Sequence, residues 1–124
     1  MAIFLAAAVA TLGVATAIGH STLSERLFLR PLFAGPQDGF FAKAATRDIT
    51  RAVFHIPSLT WGVLGLAVLL ARLCGSSTLL SLSAAVIFAG SGIANIAALR
   101  RAHPGGLMLI AAAALTFMDW ALHA

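Results

Sequence analysis

Four long apolar runs, nearly free of charge, leave this chain few folds to choose from. They extend over about 2–18, 53–73, 79–99 and 107–122. At a helical rise of about 1.5 Å per residue, the second and third reach about 30 Å, the thickness of a bilayer's hydrocarbon. The first and fourth are shorter and need interfacial flanks or local thinning of the bilayer. Four such helices consume most of the 124 residues, so no protein remains to shield their outer faces from water. Only 10% of the residues are charged, against 60% hydrophobic, whereas a soluble domain carries about 25% charged residues. The solvent for those faces is lipid.

The fold class expected is therefore all-α: an integral membrane four-helix bundle, antiparallel, forming a single domain over 1–124. Ala15-Thr16-Ala17 has the outline of a signal-peptidase site, but no Lys or Arg precedes the first run. We read it as a retained helix rather than a leader. Alanine runs such as Ala111 to Ala114, and the four-residue spacing of Gly90, Ala94 and Ala98, suit close packing of helices in lipid.

Orientation follows from the basic residues. Arg26, Arg30, Lys43, Arg47 and Arg51 lie between the first two spans, Arg100 and Arg101 between the last two, and Arg72 alone on the other side. The positive-inside rule makes the basic loops cytoplasmic and both termini non-cytoplasmic. The localisation expected is the bacterial inner (plasma) membrane. In the first loop, 21–33 mixes Glu25, Arg26 and Arg30 with Leu27, Phe28, Leu29 and Phe33, which suits an interfacial helix in the headgroup plane ended by Pro31. Pro57 predicts a kink in the second span.

The net charge of +4 does not point to nucleic acid, because the basic residues flank apolar spans and meet anionic lipid headgroups there. The single cysteine, Cys74, excludes an internal disulfide and a cysteine-rich metal site.

Chemistry-bearing residues collect at the cytoplasmic side. His20, His55 and His103 come from three separate segments to one membrane level, with Glu25 close to His20 in sequence. Imidazole plus carboxylate is a ligand set for a transition metal ion. Haem is not expected, since only His55 is placed inside the bundle as an axial ligand must be. Lys43, Arg47, Arg51 and His55 recur every four residues, so one helix face carries them, as an anion guide or as charges snorkelling to headgroups. Ser58 and Trp61 follow on that helix and, with Arg26 and Asn95, complete the pocket candidates. Arg72 and Asp119 are expected to pair as a structural ion pair on the far side.

The pattern His20-Ser21-x-x-x-Glu25-Arg26, then Arg51-x-x-x-His55-x-x-Ser58-x-x-Trp61, resembles a family of small four-helix bacterial membrane proteins with no known activity. Members commonly have Gly where this chain has Ser24. The resemblance covers about the first 65 residues and implies that His20, Glu25, Arg26, Arg51, His55 and Trp61 belong together.

The function expected is binding of a lipid, small ligand or partner subunit, including another copy of the chain, at this cytoplasmic-side polar pocket. The alternatives are a metal-dependent or redox membrane enzyme using the His/Glu cluster, and an oligomeric transporter or channel for a small solute. No span carries a charge at mid-membrane, where coupling residues sit, which argues against transport.

Overall fold

The computed structural model describes residues 2–75 and 78–123, and every regular element among them is a helix. Helix α1 (Ala2–Leu23) passes without a break into a π-helical turn (Ser24–Leu29) and then α2 (Arg30–Ala34). After a short 3-10 turn (Gly39–Phe41) come α3 (Ala44–Cys74), α4 (Thr78–Leu99) and α5 (Pro104–Ala121). Four helical stretches, Ile3–Ala34, Ala44–Cys74, Thr78–Leu99 and Pro104–Ala121, are long and apolar enough to cross a membrane.

One boundary differs from the sequence reading. The first helix does not stop near Ile18 and restart as a separate helix; it runs on to Ala34. The reason lies in Pro31, which lacks the N–H that an α-helix would bond to the residue four positions earlier. The π turn takes up the change, with the Arg30 N–H bonded to the Glu25 carbonyl one residue further back. Helix α3 starts at Ala44, about two turns before the apolar run, in keeping with the helical spacing of Arg47, Arg51 and His55, and continues through Pro57.

Helices α1 and α5 are the inner pair of the bundle. Helix α1 packs along α3 on one side and α5 on the other, α4 pairs with α5, and α3 meets α4 only sparingly. Glycines set the closest approaches. A Cβ on Gly13 would lie 2.7 Å from the Trp61 carbonyl oxygen, and one on Gly65 would lie 3.2 Å from the Ala10 Cα, so α1 and α3 touch backbone to backbone. Gly92 and Gly106 do the same for α4 and α5, where a Cβ on Gly92 would stand 2.9 Å from the Gly106 carbonyl oxygen. These contacts make α1 antiparallel to α3, and α4 antiparallel to α5. The face expected to pack α4, through Gly90, Ala94 and Ala98, points outward instead: all three are exposed, and a Cβ on Gly90 would meet nothing within 4 Å.

The core is a slender apolar column of Ala6, Val9, Trp61, Val68, Ala84, Phe88, Leu109, Ala112 and Ala113. The outside is apolar as well. Phe4, Leu79 and Val86 are 75%, 78% and 70% exposed, an arrangement stable in lipid but not in water. Both polar clusters lie at the ends of this column.

Candidate functional site

Where α1 and α3 leave the glycine contacts behind, their facing side chains turn polar. His20 Nδ1 and Ser58 Oγ are hydrogen-bonded at 2.9 Å, and Ser21 Oγ and His55 Nδ1 at 2.6 Å. Antiparallel helices held at a fixed register by Gly13 and Gly65 bring these residues together, though they lie 38 and 34 positions apart. One turn further out, Glu25 Oε2 stands 3.7 Å from His55 Nε2 and 3.5 Å from Arg51 Nε, while its Oε1 is 3.6 Å from Arg30 Nε. The result is a ladder of polar pairs climbing from the apolar column to the basic end of the bundle.

The two flanks of the ladder differ. His20 and Ser58 face inward: Ser58 is buried, and the His20 ring meets Trp61 edge-on at 5.1 Å between centroids. His20 is also within electrostatic reach of His55 and His103. The outer rungs are half-exposed, with side-chain exposures of 26% for Glu25, 34% for His55 and 40% for Arg51. None of the three Glu25 ion pairs is close enough for a well-made N–H···O bond, which wants about 2.9 Å. Arg51 Nε, although at ion-pair distance from Glu25, makes no hydrogen bond. Its guanidinium lies over the Phe33 ring, 5.2 Å from the centroid.

The sequence candidates are distributed as follows. His20, Glu25, His55, Arg51, Ser58 and Trp61 come together in the ladder. Arg47 does not join it: its Nη1 donates to the carbonyls of Phe41 and Ala42, at 2.7 and 3.0 Å, and closes the loop before α3. Lys43 precedes α3, and Arg26 is exposed with no partner among the described residues. His103 is the N-cap of α5, its Nδ1 accepting from the Gly105 N–H at 3.2 Å. Asn95 lies against the first turn of α5 beside Gly106, with its Oδ1 buried and unbonded. Two participants were missed. Ser21 stands in the His20–Arg26 pattern and Arg30 among the orienting charges, but their partners, His55 and Glu25, become legible only once the α1–α3 register and the π turn are known.

The imidazoles are thus divided among separate tasks: His20 with Ser58, His55 with Ser21 and Glu25, His103 with the α5 backbone. Among the described residues, no three His, Cys, Asp or Glu side chains form a group able to hold a metal ion.

At the opposite end, Arg72 Nη2 lies 2.9 Å from Asp119 Oδ1 and donates to the Asp119 carbonyl at 3.1 Å. His123 Nδ1 donates to the same carbonyl at 2.6 Å. The side chains of Arg72 and Asp119 are 14% and 5% exposed, so this pair ties α3 to α5 inside the protein.

No known protein family matches the chain, and neither does any curated protein or solved structure.

Proposed function

We propose that this is a multi-pass plasma-membrane protein whose ladder end faces the cytoplasm, and that it binds a ligand there in a non-catalytic role. Orientation is supported by charge: Arg26, Arg30, Lys43, Arg47, Arg51, Arg100 and Arg101 stand at the ladder end and only Arg72 at the other.

The observation that carries the binding role is the looseness of the outer rungs. Glu25, Arg30, Arg51 and His55 are gathered but paired only at 3.5–3.7 Å. At the far end Arg72 and Asp119 stand closer, at 2.9 Å, and are 14% and 5% exposed, although Asp119 Oδ1 and Arg72 Nε are themselves without a hydrogen bond; the two ends differ in ion-pair distance and exposure. A cluster held open offers its donors to something else.

The test is native mass spectrometry on untagged protein, with elemental analysis of the same preparation. A bound species retained by the wild type and lost on Arg51→Gln or His55→Ala is expected. A bare chain in every preparation would overturn the reading. Stoichiometric transition metal lost on substituting His20 or His55 would replace it with the metal-enzyme alternative.

A further inference from the structure

Beside the α1–α3 contact, on the outer surface, runs a shallow groove of about 400 Å³ lined by Ala10, Thr11, Val14, Ala15 and Ile18 of α1 and Leu66 of α3. Ala10 is buried, while Ala15, Ile18 and Leu66 are exposed. Its one hydroxyl, on Thr11, is spent on the Ala7 carbonyl at 2.9 Å, so the lining presents only hydrocarbon. The faces continue upward by about two helical turns at a time: Val14 to Ser21 and Ile18 to Glu25 on α1, and Leu66 to Leu59 to Ala52, the neighbour of Arg51, on α3. The groove therefore leads to the outer rungs of the ladder. From Thr11 to Ser21 the rise is about 15 Å, half the hydrocarbon thickness of a bilayer, or one leaflet.

Depth, lining and charge together select the occupant. We infer that one anionic phospholipid docks on this face, an acyl chain lying in the groove and the phosphodiester meeting the guanidinium groups of Arg51 and Arg30. This rests on the binding role proposed above and names the ligand for that site. The charges agree: Arg30 and Arg51 against Glu25 leave one positive charge, which a single phosphodiester neutralises. The Arg51 side chain is 40% exposed and paired with Glu25 only at 3.5 Å, so its guanidinium can take a second acceptor. Exposed Arg26 adds positive potential from the next turn. Glu25 keeps the two guanidinium groups apart from each other's repulsion when the lipid is absent. A zwitterionic headgroup would leave the net charge of the site uncompensated, so it binds less well.

The experiment uses the full chain in mild detergent, titrated with phosphatidylglycerol, with phosphatidylethanolamine and with inorganic phosphate, and read by native mass spectrometry. One phosphatidylglycerol per chain is expected, retained in preference to phosphatidylethanolamine. Arg51→Gln removes a charge-assisted bond and lowers retention about tenfold. Ala15→Leu fills the groove with hydrocarbon of the kind lipid already provides, keeps the helical circular dichroism, and lowers retention several-fold by the same reasoning (about one apolar side chain's contact displaced). Val86→Ala, on the outer face of α4, leaves retention unchanged. Phosphate binding that Arg51→Gln abolishes and Ala15→Leu spares would overturn the lipid inference while leaving a ligand site at the ladder. Equal retention of both lipids by all variants would reduce the contact to ordinary bilayer solvent and overturn it as well. Failure of every probe, with nothing co-purifying from the membrane, would remove the binding role itself.

Discussion

The two ends of the bundle use the same chemistry, a carboxylate between basic side chains, and come to opposite results. At the far end, Asp119 is sealed between α3 and α5, 2.9 Å from Arg72, with His123 on its carbonyl. At the ladder end, Glu25 stands 3.5–3.7 Å from Arg51, Arg30 and His55 with water or headgroups in reach. A buried pair holds structure together because either charge alone would be stranded in a medium that cannot solvate it. A half-exposed pair adds little to stability, since each partner has alternatives. On the proposed function, the difference separates an end that serves architecture from one that binds a ligand.

That contrast can be broken most forcefully at the far end. Asp119→Ala leaves Arg72 buried and unpaired, and unfolding by denaturing detergent should show a loss of about 3 kcal/mol or more. The double variant Asp119→Ala/Arg72→Met removes both charges and should recover much of that loss. Next in size is Gly13→Leu. Its Cβ must displace the Trp61 carbonyl 2.7 Å away, so α1 and α3 separate, with a destabilisation of about 1–3 kcal/mol. In a Trp120→Phe background, the emission of Trp61 should shift to the red as water reaches it. At the ladder end, Glu25→Gln should change stability by less than about 1 kcal/mol. A loss there as large as at Asp119 would erase the distinction between the ends.

The smallest effect belongs to Thr16, next to the ladder. The hydroxyls of Thr11, Thr50, Thr60 and Thr116 all bond a carbonyl four residues back, but that of Thr16, 5% exposed, has no partner. Thr16→Val replaces an unsatisfied buried hydroxyl with a methyl of the same shape. It should be neutral or stabilising by about 1 kcal/mol, measured in the same denaturation. A clear loss would show that the hydroxyl has a bound partner in the membrane.

Hydrophobic runs and flanking arginines made the four spans legible, because lipid solvation acts on composition and length alone. Helix ends were less so. Gly19-His20-Ser21 looks like an interruption by local rules, yet the helix continues, since its polar residues find partners on α3. Such pairings depend on interhelical register, which Gly13 and Gly65 fix from elsewhere in the chain. His103 shows the reverse: His103-Pro104-Gly105-Gly106 carries the helix-start signal of a proline in the first turn, and the structure makes this histidine a cap. The small-residue pattern of Gly90, Ala94 and Ala98 shows that spacing alone identifies a face but not what covers it.

Orientation is the premise on which the cytoplasmic site stands, and the chain carries its own probe. Cys74, the single cysteine, is exposed at the end of α3 opposite the ladder. Labelling it with a membrane-impermeant maleimide in right-side-out and inside-out vesicles reads the topology directly. Reaction in right-side-out vesicles and protection in inside-out ones is the expected result. Reaction from the inside-out vesicles alone would put the ladder on the exterior and contradict it.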